Sequence, residues 1–358
     1  MGFFMKNLLK YFLTLLFVVS TFFFHIKAKA EHIDLKYSIF FPPTHPQTKV
    51  AINWAKELEK KSGGKVRIVI IPGDSLLNPR ECYDGVKSGI VDIAFGSFVY
   101  TPGRFPVMGV MELPFGIPSG IVASQVADQF AKELHPKELS DVKVLYLHAT
   151  GPTYLYTRKP IQNIDTMKNL KLLDSYQSTE IISALGASSV RFPMPEAYMA
   201  IKQGSIDGLF ATKSNFKLLK LSEVVPYTIN TSVIGNTATM FVVMNKSKWD
   251  SLPPDLQNLF EKISEAWVMK HGEEWDKLSE DTQYYAKSGH KFIELSKNDM
   301  LRLQEIVMPI FENYKKRIPN GREYIRKIED LIIKTSRRKC PSGYYNCNTN
   351  KCCKKKSI

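Results

Sequence analysis

Short β-branched and apolar runs alternate along this chain with longer segments whose apolar residues recur every three or four positions, and this alternation constrains the fold more than any other feature. His32 to Phe40 alternates, with Ile33, Leu35, Tyr37 and Ile39 on one face, the period of a half-buried strand. Val50, Trp54 and Leu58 then recur every four residues, and Gly63-Gly64 supply the positive-φ stop of a helix. Val66 to Ile71 is a second strand, Asn78-Pro79 reads as the cap and first-turn proline of a second helix, and Ile90 to Ala94 as a buried strand. A helix near Ile121 to Leu134 and a strand from Val142 to Leu147 precede a break at Gly151-Pro152. Strands separated by helices at this spacing predict an α/β architecture with mainly parallel strands.

A second series follows the break. Leu170 to Leu173 and Ser189 to Phe192 read as strands, Thr179 to Leu185 and Pro195 to Gly204 as helices, and Thr239 to Met244 as a strand returning to the first series. After Leu252-Pro253-Pro254 a long helical stretch runs to about Lys287 and carries Leu256, Phe260, Ile263, Trp267 and Trp275, long enough to pack along both halves. Ser296 with Asp299 caps a further helix, which Pro309 is expected to kink or end. A chain of this length exceeds what one core readily organises, so two lobes are expected. Residues 31–152 form the first part of lobe I and 153–240 form lobe II. Residues 241–333 return to lobe I with the spanning helix, and 334–358 form a tail.

The first thirty residues stand apart. Lys6 and Lys10 precede an apolar run from Tyr11 to Phe24, and Ala28-Lys29-Ala30 ends it, the order of an export signal cleaved after Ala30. The run is shorter than the roughly 20 residues that span a bilayer. Setting aside the four lysines of this segment and the eight Lys/Arg from Lys334 onward, 49 basic residues fall to 37 against 35 acidic ones. The globular part is therefore nearly neutral, which argues against nucleic acid as a partner. Cys340, Cys347, Cys352 and Cys353 crowd the tail without a Cys-x-x-Cys pair or a nearby His. In an oxidising compartment that clustering favours local disulfides over free thiols or zinc. Cys82 alone reads as a small buried apolar residue.

In order, the steps Gly63-Gly64-Lys65-Val66, Pro72-Gly73-Asp74-Ser75-Leu76, Val86-Lys87-Ser88-Gly89-Ile90-Val91-Asp92, Leu113-Pro114-Phe115 and Leu185-Gly186-Ala187, with the run from Glu196 to Gly208, carry a family resemblance. The chain resembles, over roughly residues 33–315, the dicarboxylate-type solute receptors of tripartite ATP-independent periplasmic (TRAP) transporters. The resemblance implies a two-lobed fold like that of the class II periplasmic binding proteins, with a long helix spanning both lobes and hinge closure on ligand. It also implies a periplasmic location, a small organic acid as ligand, TRAP permease subunits as partners and no cofactor. A sensory binding protein feeding a signalling receptor is the alternative, since both use closing lobes.

Against the family pattern, Leu173 stands where an arginine usually reads a carboxylate, and the basic position after the Gly151 break is also missing, with Thr153 nearby. Phe210 replaces the acid of the family's Asp-Gly-x-Glu step. These departures imply an apolar pocket and a monocarboxylate with an apolar body. Candidate contacts in the second lobe are Tyr154, Tyr156, Tyr176, Phe210, Thr212 and Asn215, although strand alternation sends some of them into the core. In the first lobe they are His45, after the first strand, Glu81, whose spacing from Asn78 equally fits a helix cap, and Tyr100. Arg104 is a substitute cation or a surface arginine. No nucleophile elbow, metalloprotease helix or phosphate-cradling loop points to an enzyme, and His148 is a hinge hydrogen-bonding group or a base without a partner.

Overall fold

The computed structural model describes residues 32–174, 178–191, 196–279, 289–337, 344–346 and 352–354. The export segment and Tyr176 lie outside them, as do Cys340 and Cys347. In chain order the first half runs β1 (Ile33–Ile39), α1 (Pro46–Lys61), β2 (Val66–Pro72), α2 (Cys82–Lys87), β3 (Ile93–Ser97), α3 (Gly120–Leu134), β4 (Val142–Ala149) and β5 (Thr153–Thr157). It continues with β6 (Lys171–Asp174), α4 (Thr179–Ala184), β7 (Ser188–Arg191), α5 (Ala197–Lys202), β8 (Gly208–Thr212), α6 (Lys213–Leu218) and β9 (Tyr227–Ile229). The remainder is β10 (Thr239–Asn245), α7 (Lys246–Asp250), α8 (Pro254–Ser279), β11 (Lys291–Ile293), α9 (Lys297–Arg317), α10 (Gly321–Arg337) and a small hairpin, β12 (Tyr344–Asn346) with β13 (Cys352–Lys354).

Two sheets result. The first has the order β2-β1-β3-β10-β4, the second β11-β9-β5-β8-β6-β7. β1 pairs in parallel with β2 and β3, whereas β10 runs antiparallel to both β3 and β4. The chain leaves the first sheet at the end of β4 and returns to it at the start of β10, so the two crossings lie side by side. Thr150 N donates to Ala238 O at 3.0 Å and Thr153 N to Asn236 O at 3.1 Å, which pairs backbone groups that would otherwise be buried without partners.

Helix α8 packs against α1, α3 and β4 of the first lobe and against α6 of the second. Its approach to α3 needs glycine: a Cβ on Gly272 would stand 2.8 Å from Ile121 Cα and 2.9 Å from Gly120 O. At that crossing the Asp276 carboxylate accepts from Gly120 N at 2.6 Å and Ile121 N at 3.0 Å, satisfying the open amides of the α3 N-terminus and its positive dipole end.

Four details depart from the sequence reading. The Asn78-Pro79 step does not start α2 directly: Asn78 Oδ1 accepts from Arg80 N, and α2 begins four residues later. Pro309 lies inside α9, which runs on to Arg317, because the buried stripe Leu303, Val307, Ile310 and Tyr314 holds both sides of the proline in place. The short run Lys291–Ile293, placed by sequence in the return to the first lobe, instead joins the second sheet beside β9. Residues from Lys334 do not form a detached tail at once, since α10 continues to Arg337 with Thr335 buried and packs on α3.

Ending the chain after Arg337 is expected to leave the melting temperature unchanged. Ending it before Gly321 removes Ile325, Ile328 and Leu331, buried side chains worth about 1.5–3 kcal/mol each, and is expected to lower it clearly in the same thermal-unfolding measurement.

Candidate functional site

Strand direction locates the cleft. β1, β3 and β4 all end at the edge where the chain crosses, as β10 begins there. In the second sheet β5 starts at that edge, and Thr153 pairs with Thr212 at the end of β8, which runs parallel to β6. The carboxyl ends of β1, β3, β6 and β8 therefore face the seam between the sheets, the place where open α/β sheets bind ligands.

On the first-lobe side the loops after β1 and β3 assemble aromatic rings. The Phe41 and His45 rings stack with centroids 3.8 Å apart and an interplanar angle of 3°. Phe40 meets Phe41 at 4.2 Å and stands edge-on to Tyr100 at 5.4 Å, and Trp275 from α8 backs Phe41 at 6.0 Å and His45 at 5.9 Å. Phe40, Phe41, His45 and Tyr100 are half-buried, so each keeps part of its surface open. His45 also caps α1: its Nδ1 accepts from Gln47 N at 3.1 Å. That bond leaves the proton on Nε2, and burial lowers the ring's pKa to about 4, so at neutral pH His45 is an uncharged donor.

Beneath this wall lies a buried polar chain. His271 Nδ1 and Gln47 Oε1 are 2.5 Å apart, Tyr146 Oη and His271 Nε2 3.1 Å, and Trp275 Nε1 donates to His148 Nδ1 at 3.2 Å. His148 and His271 stack at 4.2 Å. Burial lowers His271 to about 3 and His148 well below the usual imidazole range, with the neighbouring His271 adding to the shift. Both rings pack and hydrogen-bond as neutral groups. His148 thus ties β4 to α8.

On the second-lobe side Thr153 Oγ1 donates to Asn236 Oδ1 at 2.7 Å, and Ser178 Oγ lies 3.4 Å from the same oxygen. This links both crossings to the loop after β6. Tyr154 is half-buried, with Lys213 Nζ 4.7 Å above its ring, and burial pushes its phenol up. Thr212 caps α6, its Oγ1 accepting from Asn215 N at 3.2 Å and meeting Ser214 Oγ at 2.8 Å; Asn215 is half-exposed beside it.

The structure thus gathers His45 and Tyr100 on one side of the seam and Tyr154, Thr212 and Asn215 on the other. It places the remaining candidates elsewhere. Leu173 is fully buried in the second-lobe apolar cluster with Tyr156, Leu209 and Phe216, and Phe210 is buried on the opposite face of its strand. Tyr156 stacks on Phe216 at 4.5 Å inside that core. Arg104 gives both terminal nitrogens to Asp84 at 2.5 Å and lies over Tyr83, so its fork is already committed. Glu81 is exposed, with Oε2 3.3 Å from Asn78 N, and serves the turn before α2. Phe40, Phe41, Trp275, Asn236 and Ser178 carried no signal in the sequence beyond apolar or turn character, because only the strand topology brings them to one edge.

Residues 37–317 match the family of bacterial extracellular solute-binding proteins, family 7. A TRAP periplasmic solute-binding protein of Desulfovibrio salexigens, whose ligand site holds the C-terminus of a symmetry mate, is 29% identical. It superposes with a TM-score of 0.78, covering 84% of this chain and 96% of its own. A TRAP solute-binding protein of Rhodoferax ferrireducens in complex with copurified benzoate is 25% identical, with a TM-score of 0.76 over 85% of this chain and 98% of that one. The C4-dicarboxylate-binding periplasmic protein of Rhodobacter capsulatus is 24% identical over 315 residues, 85% of this chain and 92% of that protein. Among the described residues no helix is long and apolar enough to cross a membrane.

The depressed histidines make stability depend on pH. An imidazole held below its unfolded pKa favours the native state above about pH 6.5, and that contribution is lost as pH falls toward the folded values of about 4 for His45 and about 3 for His271. The histidine contribution to the melting temperature is expected to hold level from pH 8 to 7 and to fall progressively below 6.5. In His271→Gln, the part of the decline due to that ring should be missing from the same scan.

Proposed function

The chain belongs to the family 7 bacterial extracellular solute-binding proteins and serves as a solute receptor for TRAP-type transport, and we propose that its ligand is a monocarboxylate with an aromatic or branched aliphatic body. The observation that carries this reading is the half-open wall of Phe40, Phe41, His45 and Tyr100 at the carboxyl ends of β1 and β3. Apolar area removed from water contributes about 25 cal/mol per Å², and ring edges facing rings add to it. The copurified benzoate of the Rhodoferax ferrireducens relative agrees with an aromatic acid; the dicarboxylate of the Rhodobacter capsulatus protein is the competing chemistry.

The carboxylate then needs donors. In this reading His45 Nε2–H and the side chain of Asn215 supply them from opposite lobes, with Lys213 above Tyr154 as the nearest cation on the second-lobe side. A ligand bridging both lobes favours the closed form, and the permease subunits then take the solute from that form. The reading assigns no catalytic step. In this reading the mature protein works in the periplasm after removal of residues 1–30, with 31–152 and 241–333 making lobe I, apart from Lys291–Ile293 beside β9, and 153–240 making lobe II.

Calorimetry with benzoate-like and branched aliphatic monocarboxylates against succinate tests the proposal: the monocarboxylates are expected to bind at least tenfold tighter, and tight succinate binding would refute it. His45→Phe keeps a stackable ring and removes the donor. A hydrogen bond to a charged group contributes about 1.5–3 kcal/mol, so a loss of roughly 10- to 100-fold in affinity is expected.

Leu173→Arg probes the position where the family's usual arginine is missing. Because Leu173 is buried among apolar side chains, the charge has no partner, and destabilisation of more than about 3 kcal/mol is expected. Thermal unfolding reads the loss, and the variant should gain no succinate affinity.

A further inference from the structure

Beside the cleft, the loop from Phe98 to Pro114, the start of α4 and the C-terminal half of α9 enclose a cavity of about 590 Å³. It touches both lobes, since the loop follows β3 and α4 follows β6. Phe98, Phe105, Leu113, Ile181 and Ile310 give it an apolar lining, and Tyr314 Oη, donating to Pro106 O at 3.0 Å, ties α9 to the loop. The volume and lining fall within the range of small-molecule sites, which run about 300–1,000 Å³ with a few placed polar groups.

Its charged groups do not balance. The charged groups that line it are Glu112 from the loop, Glu180 from α4 and Arg317 from α9. Arg317 Nη1 lies 3.8 Å from Glu180 Oε1, so those two offset each other. The half-buried Glu112 carboxyl has no hydrogen-bond or ion-pair partner among the described residues. Burial, followed by the charge of Glu180, raises it to about 7. An unpaired carboxylate facing an apolar, aromatic-lined space is costly when empty and is satisfied by an ammonium group whose apolar body fills the remainder.

We propose that this cavity is a second binding site, for a small amphipathic amine whose ammonium pairs with Glu112 and whose apolar body packs on Phe98, Phe105 and Ile310. It is separate from the acid-binding cleft and does not depend on the ligand class proposed there.

The test uses 2-phenylethylamine, with 2-phenylethanol as the neutral isostere and phenylacetate as the acid. In thermal-shift and calorimetric titrations at pH 8 the amine is expected to bind at least tenfold tighter than the alcohol, with phenylacetate leaving the amine isotherm unchanged. Between pH 8 and pH 6 the amine stays protonated while Glu112 takes up its proton, so affinity should fall about tenfold. Glu112→Gln should abolish that pH dependence and weaken the amine at pH 8 by about tenfold or more, with an unchanged or raised melting temperature because an unpaired charge is removed. Ile310→Trp, which fills the cavity, should weaken amine and alcohol alike. Equal affinity for amine and alcohol, competition by phenylacetate, or a Glu112→Gln affinity within twofold of the parent would overturn the assignment.

Discussion

The pairing of the two chain crossings is the constraint on which the rest depends. A chain that leaves one sheet and returns must carry two strands of backbone through a buried seam, and each unpaired amide or carbonyl there is costly. Placing them side by side lets Thr150 pair with Ala238 and Thr153 with Asn236. The Asn236 side chain extends the link to Thr153 and Ser178. The same arrangement turns the carboxyl ends of strands from both sheets toward one another, so one solution to a backbone problem also creates the cleft. Helix α8 then spans the seam, and the Gly120–Gly272 approach lets Asp276 cap α3 at that point.

Charge and burial divide the seam into two chemical regions. Around His45 the rings are neutral at physiological pH, and the basic side chains that sequence offered as clamps are either absent, as at Leu173, or already paired, as Arg104 is with Asp84. In the proposed reading, selectivity there rests on apolar area and a few neutral donors. Beside it, Glu112 lines an apolar cavity and has no hydrogen-bond or ion-pair partner among the described residues, the cavity's Arg317 being paired with Glu180. Both regions are half-buried, so a single proton or ammonium counts for more there than it would on an exposed face.

Much of the fold was legible because it follows period. Ile33, Leu35, Tyr37 and Ile39 alternate, Val50, Trp54 and Leu58 repeat every four residues, and the Gly63-Gly64 stop carries positive φ at both positions. Less legible were the strands Thr153–Thr157, Gly208–Thr212 and Tyr227–Ile229, which are short and buried on both faces and so show no alternation. Pro309 does not end its helix: local propensity opposes a helix there, but burial of Val307 and Ile310 on one stripe outweighs the missing hydrogen bond.

The site was legible only in part. Sequence pointed to His45 and Tyr100 from loops after strands, to Tyr154 from its place after the chain crossing, and to Thr212 and Asn215 as hydrogen-bonding groups, and strand topology brings these backbone positions to the seam. It pointed equally to Leu173 and Phe210, whose strands carry them into the core. By itself the sequence determined the α/β class, the two-lobed organisation, the family and the near-neutral charge of the globular part, since these depend on period, order and composition. Only the tertiary structure decided which aromatic rings share a wall, that Arg104 is held by Asp84, that α10 docks on α3, and that Glu112 lacks a hydrogen-bond or ion-pair partner among the described residues. Those outcomes depend on which residues distant in the chain meet across the seam, and no local pattern encodes that distance.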